Sequence, residues 1–196
     1  MPPTVTFLLA FHLPTDTTGW PVLAEAPVRV VCGRPDGVAW CVAWGDADAE
    51  PQYVGRIIED RAHYPDYYAH VSRSEVYPDG SFHMVIDYPA LITDRDLVVL
   101  PSRSQDGDAL VYTWRSVTRP EAPPVDGVIR LPEASGEWRI EPRLGGGSVI
   151  RYTWHAELGG DLPEALLARV WAGTCTEVVA GTARAAERAS GRAGGL

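Results

Sequence analysis

Apolar and polar residues alternate along most of this chain, and the period changes to that of a helix in two places. APVRVVCG from Ala26 and VAWCVAW from Val38 read as strands flanking Arg34-Pro35-Asp36-Gly37. VSRSEVY and SFHMVIDY flank Pro78-Asp79-Gly80, and RDLVVLPSR and ALVYTWRSVT flank Gln105-Asp106-Gly107-Asp108. An Asp-Gly pair between two β-rich runs is a hairpin signal. EWRIEP and SVIRYTWHAEL, separated by Gly145-Gly146-Gly147, add two more strands. Between the first hairpin and this meander, Pro51 opens a helix in which Val54, Ile57 and Ile58 recur. Pro65 is expected to break it, with Asp66–His70 forming a second short helix. The last element runs from Leu162 to Arg188, with Asp161 as N-cap and Pro163 in the first turn. Leu166, Leu167, Val170, Trp171, Thr174, Val178 and Gly181 form its apolar-to-small stripe.

Strand alternation sorts side chains onto two faces. Phe82, Met84, Ile86 and Tyr88 share one face, against Ser81, His83, Val85 and Asp87. Tyr112 and Trp114, Trp138 and Ile140, and Tyr152, Trp154 and Ala156 continue the apolar face. An antiparallel sheet followed by one amphipathic helix buries one sheet face under that helix. Several aromatic rings then crowd a single concave surface. That surface is either a filled core or the wall of a pocket, and a cavity of about 300 Å³ or more separates the two.

Composition adds limits. With 196 residues, 45% hydrophobic and 22% charged, the chain is long enough for one soluble domain with its own core. Residues 1–19 read as an N-terminal arm, 20–188 as the domain and 189–196 as a tail. Seven Trp and eight Tyr against three Phe suit a cavity for amphipathic ligands, since both rings carry a polar handle. A net charge of −9 without a basic run argues against nucleic acid and against strong attraction to anionic membranes. Val5–Phe11 is too short to span a bilayer and lacks a basic flank, so the cytoplasm is the expected location. Cys32, Cys41 and Cys175 lack CxxC spacing and are expected to be reduced structural thiols.

Several short segments, taken in order, resemble a known family. They are Asp87-Tyr88-Pro89, Asp94-Arg95-Asp96-Leu97-Val98-Val99, Gly127-Val128-Ile129-Arg130, Trp138, Pro142, Tyr152-Thr153-Trp154 and Gly159-Gly160-Asp161-Leu162-Pro163. Together they resemble a START (StAR-related lipid-transfer) domain of bacterial type, within the Bet v 1-like or SRPBCC superfamily. The resemblance implies an α+β helix-grip fold: a curved antiparallel β-sheet wrapped around a long C-terminal α-helix, with an internal hydrophobic cavity. It also implies that Thr118–Gly136 corresponds to a mobile loop gating that cavity. Sterol-binding members carry an acidic–arginine pair, and the matching positions here fall near Met84 and Pro101, so that pair is not evident.

The function implied is binding of a lipid or other hydrophobic small molecule for transport, sequestration or sensing, without cofactor or metal, with transient membrane contact. The alternative is a polyketide cyclase/aromatase-like enzyme on the same fold. Expected ligand-binding residues are Met84, Ile86, Tyr112, Trp114, Trp138, Tyr152, Trp154, Leu166, Val170 and Thr174. Arg95 is a head-group or structural residue, and Asp96 beside it points to the opposite face. His63, Asp66 and His70 match no metal motif. No GxSxG, HExxH or P-loop occurs, and Gly145–Gly147 reads as a turn.

Overall fold

The computed structural model describes residues 13–88, 92–157 and 164–191. The expected N-cap Asp161, Pro163 and the Gly159–Pro163 junction lie outside the described residues, as does Pro89. Ten strands form one sheet: β1 (Val22–Ala24), β2 (Arg29–Gly33), β3 (Trp40–Ala47), β4 (Val71–Val76), β5 (Phe82–Ile86), β6 (Arg95–Asp106), β7 (Ala109–Ser116), β8 (Ile129–Arg130), β9 (Ala134–Pro142) and β10 (Ser148–Ala156). Their spatial order is β1-β2-β3-β10-β9-β7-β6-β5-β4, with β8 alongside β6 in parallel. Among the described residues three helices accompany them: α1 (Pro51–Glu59), α2 (Tyr64–Tyr67) and α3 (Glu164–Ala189). The sheet is antiparallel apart from β8, and the chain has the expected helix-grip architecture.

The local chemistry explains most boundaries. Gly80 and Gly107 adopt φ of +82° and +57°, as the tight turns before β5 and β7 require. The first connection is a short 3-10 turn at Pro35–Gly37, longer than a two-residue hairpin loop. α1 stops at Asp60, whose carboxylate bonds His63 Nδ1 at 2.6 Å and opens a 3-10 turn at Arg61–His63. Pro65 therefore breaks nothing. It sits in the first turn of α2, where its missing N–H costs no hydrogen bond. β9 starts at Ala134, three residues before the β-rich EWRIEP run, because Ala134, Ser135 and Gly136 pair with Ala156, His155 and Trp154 on β10.

α3 lies across the β1–β3 end of the sheet. It comes so close to β3 that a Cβ on Gly45 would stand 2.7 Å from Val179 Cγ1. Val30, Cys41, Ala43, Val179 and Ala186 fill that interface. The expectation of three reduced thiols is corrected here. β2 and β3 place Cys32 opposite Cys41, and the two form a disulfide. Cys175, on α3, is a free, buried thiol.

A candidate hydrophobic-ligand cavity and its surroundings

Between the β5–β6–β7–β9–β10 part of the sheet, α3 and the α1–α2 corner lies a cavity of about 110 Å³. Met84 and Ile86 on β5, Tyr112 and Trp114 on β7, Trp138 on β9, and Tyr152 and Trp154 on β10 all face it. Thr174 enters from α3. Eight of the ten expected ligand-binding residues thus share one wall. Val170 packs instead into the core, and Leu166, half-buried, is not part of the wall. Both lie toward the start of α3, beyond the turn that meets the cavity. The volume falls below the 300 Å³ mark, so by that measure this form lies nearer the filled core than the open pocket.

The wall is aromatic. Trp138 and Tyr152 rings lie 4.3 Å apart, and Trp114 is near-parallel to Tyr152 at 6.5 Å. Gly136 makes room for Trp114: a Cβ there would come within 2.7 Å of its ring and 2.4 Å of the Thr153 carbonyl. Trp154 donates from Nε1 to Cys175 Sγ at 2.9 Å, and burial pushes the Cys175 thiol up to about 12, so it stays neutral. The α1–α2 corner adds Tyr64 and Tyr68, which sequence reading missed. The signal was present as an aromatic cluster around Pro65, but its direction depended on where α1 ended. Tyr64 donates to the Ile58 carbonyl, and Tyr68 pairs with Thr182 on α3 at 2.8 Å. Tyr112 is pushed up to about 12 by burial and by the neighbouring Glu59 carboxylate.

Charged groups gather at the edges. The His70 backbone N–H donates to Glu177 Oε1 at 3.0 Å, and its ring stands 3.7 Å from Oε2. This contact ties the α2–β4 corner to α3. Arg61 lies over the Phe82 ring. Arg95 is buried on the cavity side of β6, bonded to the Thr93 carbonyl and stacked under Tyr88 at 5.6 Å.

The other sheet face is organised by charge. His83 is on the expected outer face, yet it is 3% exposed. Its Nε2 lies 2.7 Å from Asp96 Oδ2, and Asp96 is also held by Arg130. The Arg130 guanidinium donates further to the Ala122 and Pro123 carbonyls. Arg119 bonds Asp79 and Ser81 Oγ on the same face. Arg119 near its start and Arg130 further on thus hold Thr118–Gly136 across the outer face. Its end reaches the cavity at Leu131 and Ala134. Burial of Asp96 works to raise its pKa, but the bonds from Arg130 and His83 outweigh it and hold the carboxyl below its ordinary value. Among the described residues no group of three or more His, Cys, Asp or Glu could hold a metal ion, and no helix is long and apolar enough to cross a membrane.

A START domain model matches residues 66–190. The chain belongs to the START domain family. Solved START-type structures share its fold. The STAR-related lipid transfer protein of Xanthomonas axonopodis is 21% identical, with a TM-score of 0.75 over 86% of this chain and 99% of that one. Human StAR-related lipid transfer protein 5 is 19% identical, with a TM-score of 0.75 over 89% of each chain. An uncharacterized protein of Pseudomonas aeruginosa is 29% identical over 85 residues, 43% of this chain and 42% of that protein. The match thus spans about two fifths of the length of that curated relative.

Proposed function

We propose that this START-family protein binds a hydrophobic small molecule between sheet and helix, for transport, sequestration or sensing. The observation that supports it best is the aromatic wall of Trp114, Trp138, Tyr152 and Trp154 facing unfilled space. Apolar surface moved there from water contributes roughly 25 cal/mol per Å². Ligand larger than the closed cavity enters as the His70–Glu177 contact parts and α3 moves from the α2–β4 corner. The names of the structural neighbours, both lipid-transfer proteins, agree with this class of cargo.

The cyclase alternative needs an acid–base set inside the cavity. The His83–Asp96 pair has that form but is on the opposite sheet face, bound by Arg130; His70 and Glu177, 3.7 Å apart, do line the cavity and are the residues this alternative would use.

Native mass spectrometry of the purified protein, with organic extraction of whatever is bound, tests the proposal. A stoichiometric apolar molecule supports it and names its class. An empty protein that also ignores a broad lipid panel sinks it.

A further inference from the structure

Besides tyrosines, three ionisable side chains line the cavity among the described residues: Arg61, His70 and Glu177. Glu177 is engaged. Its Oε1 accepts from the His70 backbone N–H, and the His70 ring stands 3.7 Å from Oε2. Arg61 is not. It is half-buried on the turn between α1 and α2, with its guanidinium 6.0 Å from the centre of the Phe82 ring. The two acids that precede it in the chain are held by other groups. Glu59 pairs with Arg103 at 3.0 Å, and Asp60 takes His63 on one oxygen and the Tyr67 hydroxyl on the other. Among the described residues no carboxylate forms an ion pair with Arg61.

The chain has 26 acidic against 17 basic residues, so an acid is the easier neighbour to supply. Its lack leaves this corner of the cavity with an uncompensated positive charge. Arginine stays protonated, and its planar fork matches a carboxylate or a phosphate. Stacking on Phe82 holds the guanidinium at the cavity edge, where its charge reaches the Tyr64 and Tyr112 phenols of the lining. An anion elsewhere on this apolar wall loses its hydration without return. Beside Arg61 it gains a cation and keeps part of its water, because the residue is only half-buried. Arg95 is less suited, since it is buried and already donates to the Thr93 carbonyl. A cationic head group would need Glu177, which His70 holds.

We propose that Arg61 is the head-group site of the cavity, and that the cargo is an amphiphile with one anionic terminus, a carboxylate or a phosphate monoester. Its apolar body then lies along Tyr112, Trp138 and Tyr152. This rests on the cavity-binding function proposed above and adds the charge of the ligand.

The test is calorimetry of the full chain at pH 7 with probes that share one ring system: 2-naphthol, 2-naphthoate, 2-naphthyl phosphate and 2-naphthylmethylamine. The readout is the ratio of the 2-naphthol dissociation constant to that of the better anion, which cancels any general effect of a substitution on the cavity. The unaltered protein should favour the anion about tenfold, the lower end for a hydrogen bond to a charged group because Arg61 is partly solvated. Arg61→Gln should bring the ratio close to one, and Arg61→Lys, which keeps the charge, should retain a preference. Tighter binding of 2-naphthoate assigns a carboxylate, and tighter binding of the phosphate assigns a phosphate monoester. Equal or better binding of 2-naphthol or of the amine by the unaltered protein overturns the anionic class without recourse to any variant. An anion preference that Arg61→Gln leaves unmoved, in a protein whose melting curve shows it folded, overturns Arg61 as its site. A co-purified cargo without an acidic group overturns the proposal while the cavity function stands. An empty protein that binds no probe removes the cavity function as well.

Discussion

Arg130 holds Asp96 through two parallel hydrogen bonds, Nε to Oδ1 at 2.9 Å and Nη2 to Oδ2 at 2.6 Å. One residue belongs to the short parallel strand β8, the other to β6. The pair thus fastens the long segment after β7 to the sheet. Arg130→Met leaves a fully buried carboxylate facing His83 with no permanent cation. Breaking a buried pair from one side costs about 3–5 kcal/mol. Urea unfolding of the variant should show a loss of that order. A loss under about 1 kcal/mol would mean that the strap carries little of the stability.

The same cluster sets a pH limit. Asp96 has a depressed pKa in the folded chain, so its contribution is complete above the ordinary value near 3.8. It is lost as pH falls from there through the folded value. Stability measured by urea at successive pH values should drop below about pH 4. Arg130→Met removes the main source of depression and should shift the onset of acid unfolding to higher pH.

Met84 faces the cavity from β5 without being fully buried. Met84→Trp adds volume where there is empty space, so its folding cost should stay within the ~1–3 kcal/mol of mild overpacking. Binding of an extracted cargo or of 2-naphthol should weaken at least tenfold. Unaltered binding in the folded variant would place the ligand elsewhere.

Gly136 has no room for a side chain. Gly136→Ala would press a methyl against the Thr153 carbonyl and the Trp114 ring, and the backbone carbonyl cannot rotate away within the ladder. A loss of about 2 kcal/mol or more and a shifted tryptophan emission are expected. A stability equal to that of the unaltered chain would show that β9 and β10 part easily there.

The Cys32–Cys41 bond closes a loop with a sequence separation of 9. Loop entropy for that length predicts that reduction costs about 2–3 kcal/mol. Denaturant curves with and without reductant measure it. Disulfides persist in oxidising compartments and are rare in the cytosol, which sets this bond against the expected cytoplasmic location. Trapping the thiol state in intact cells decides between them.

The sequence shows the strands, the Asp-Gly turns at 79–80 and 106–107, and which residues face inward. These follow from local rules of alternation and turn chemistry, and Met84, Trp138 and Trp154 are where alternation places them. Other features depend on register. A hairpin centred on Asp36-Gly37 sets Cys32 across from Cys41, so the disulfide could have been read had the pairing been counted out. The burial of His83 could not. Alternation puts it on the outer face, and a distant segment, Ala122–Arg130, then covers that face. Nor does the helical stripe of α3 show that Thr174 meets the cavity whereas Leu166 and Val170 do not. That is decided by how far along the helix the sheet curves away.

The strand order has a consequence for synthesis. β3 finds its second neighbour only in β10, from the other end of the chain. As the ribosome delivers residues in order, the β2–β3 hairpin waits with one edge unpaired until Ser148–Ala156 emerge. Its apolar face waits still longer, because the helix that covers it follows β10 in the chain. A nascent chain halted before Ser148 would hold two separate half-sheets, each with an open edge.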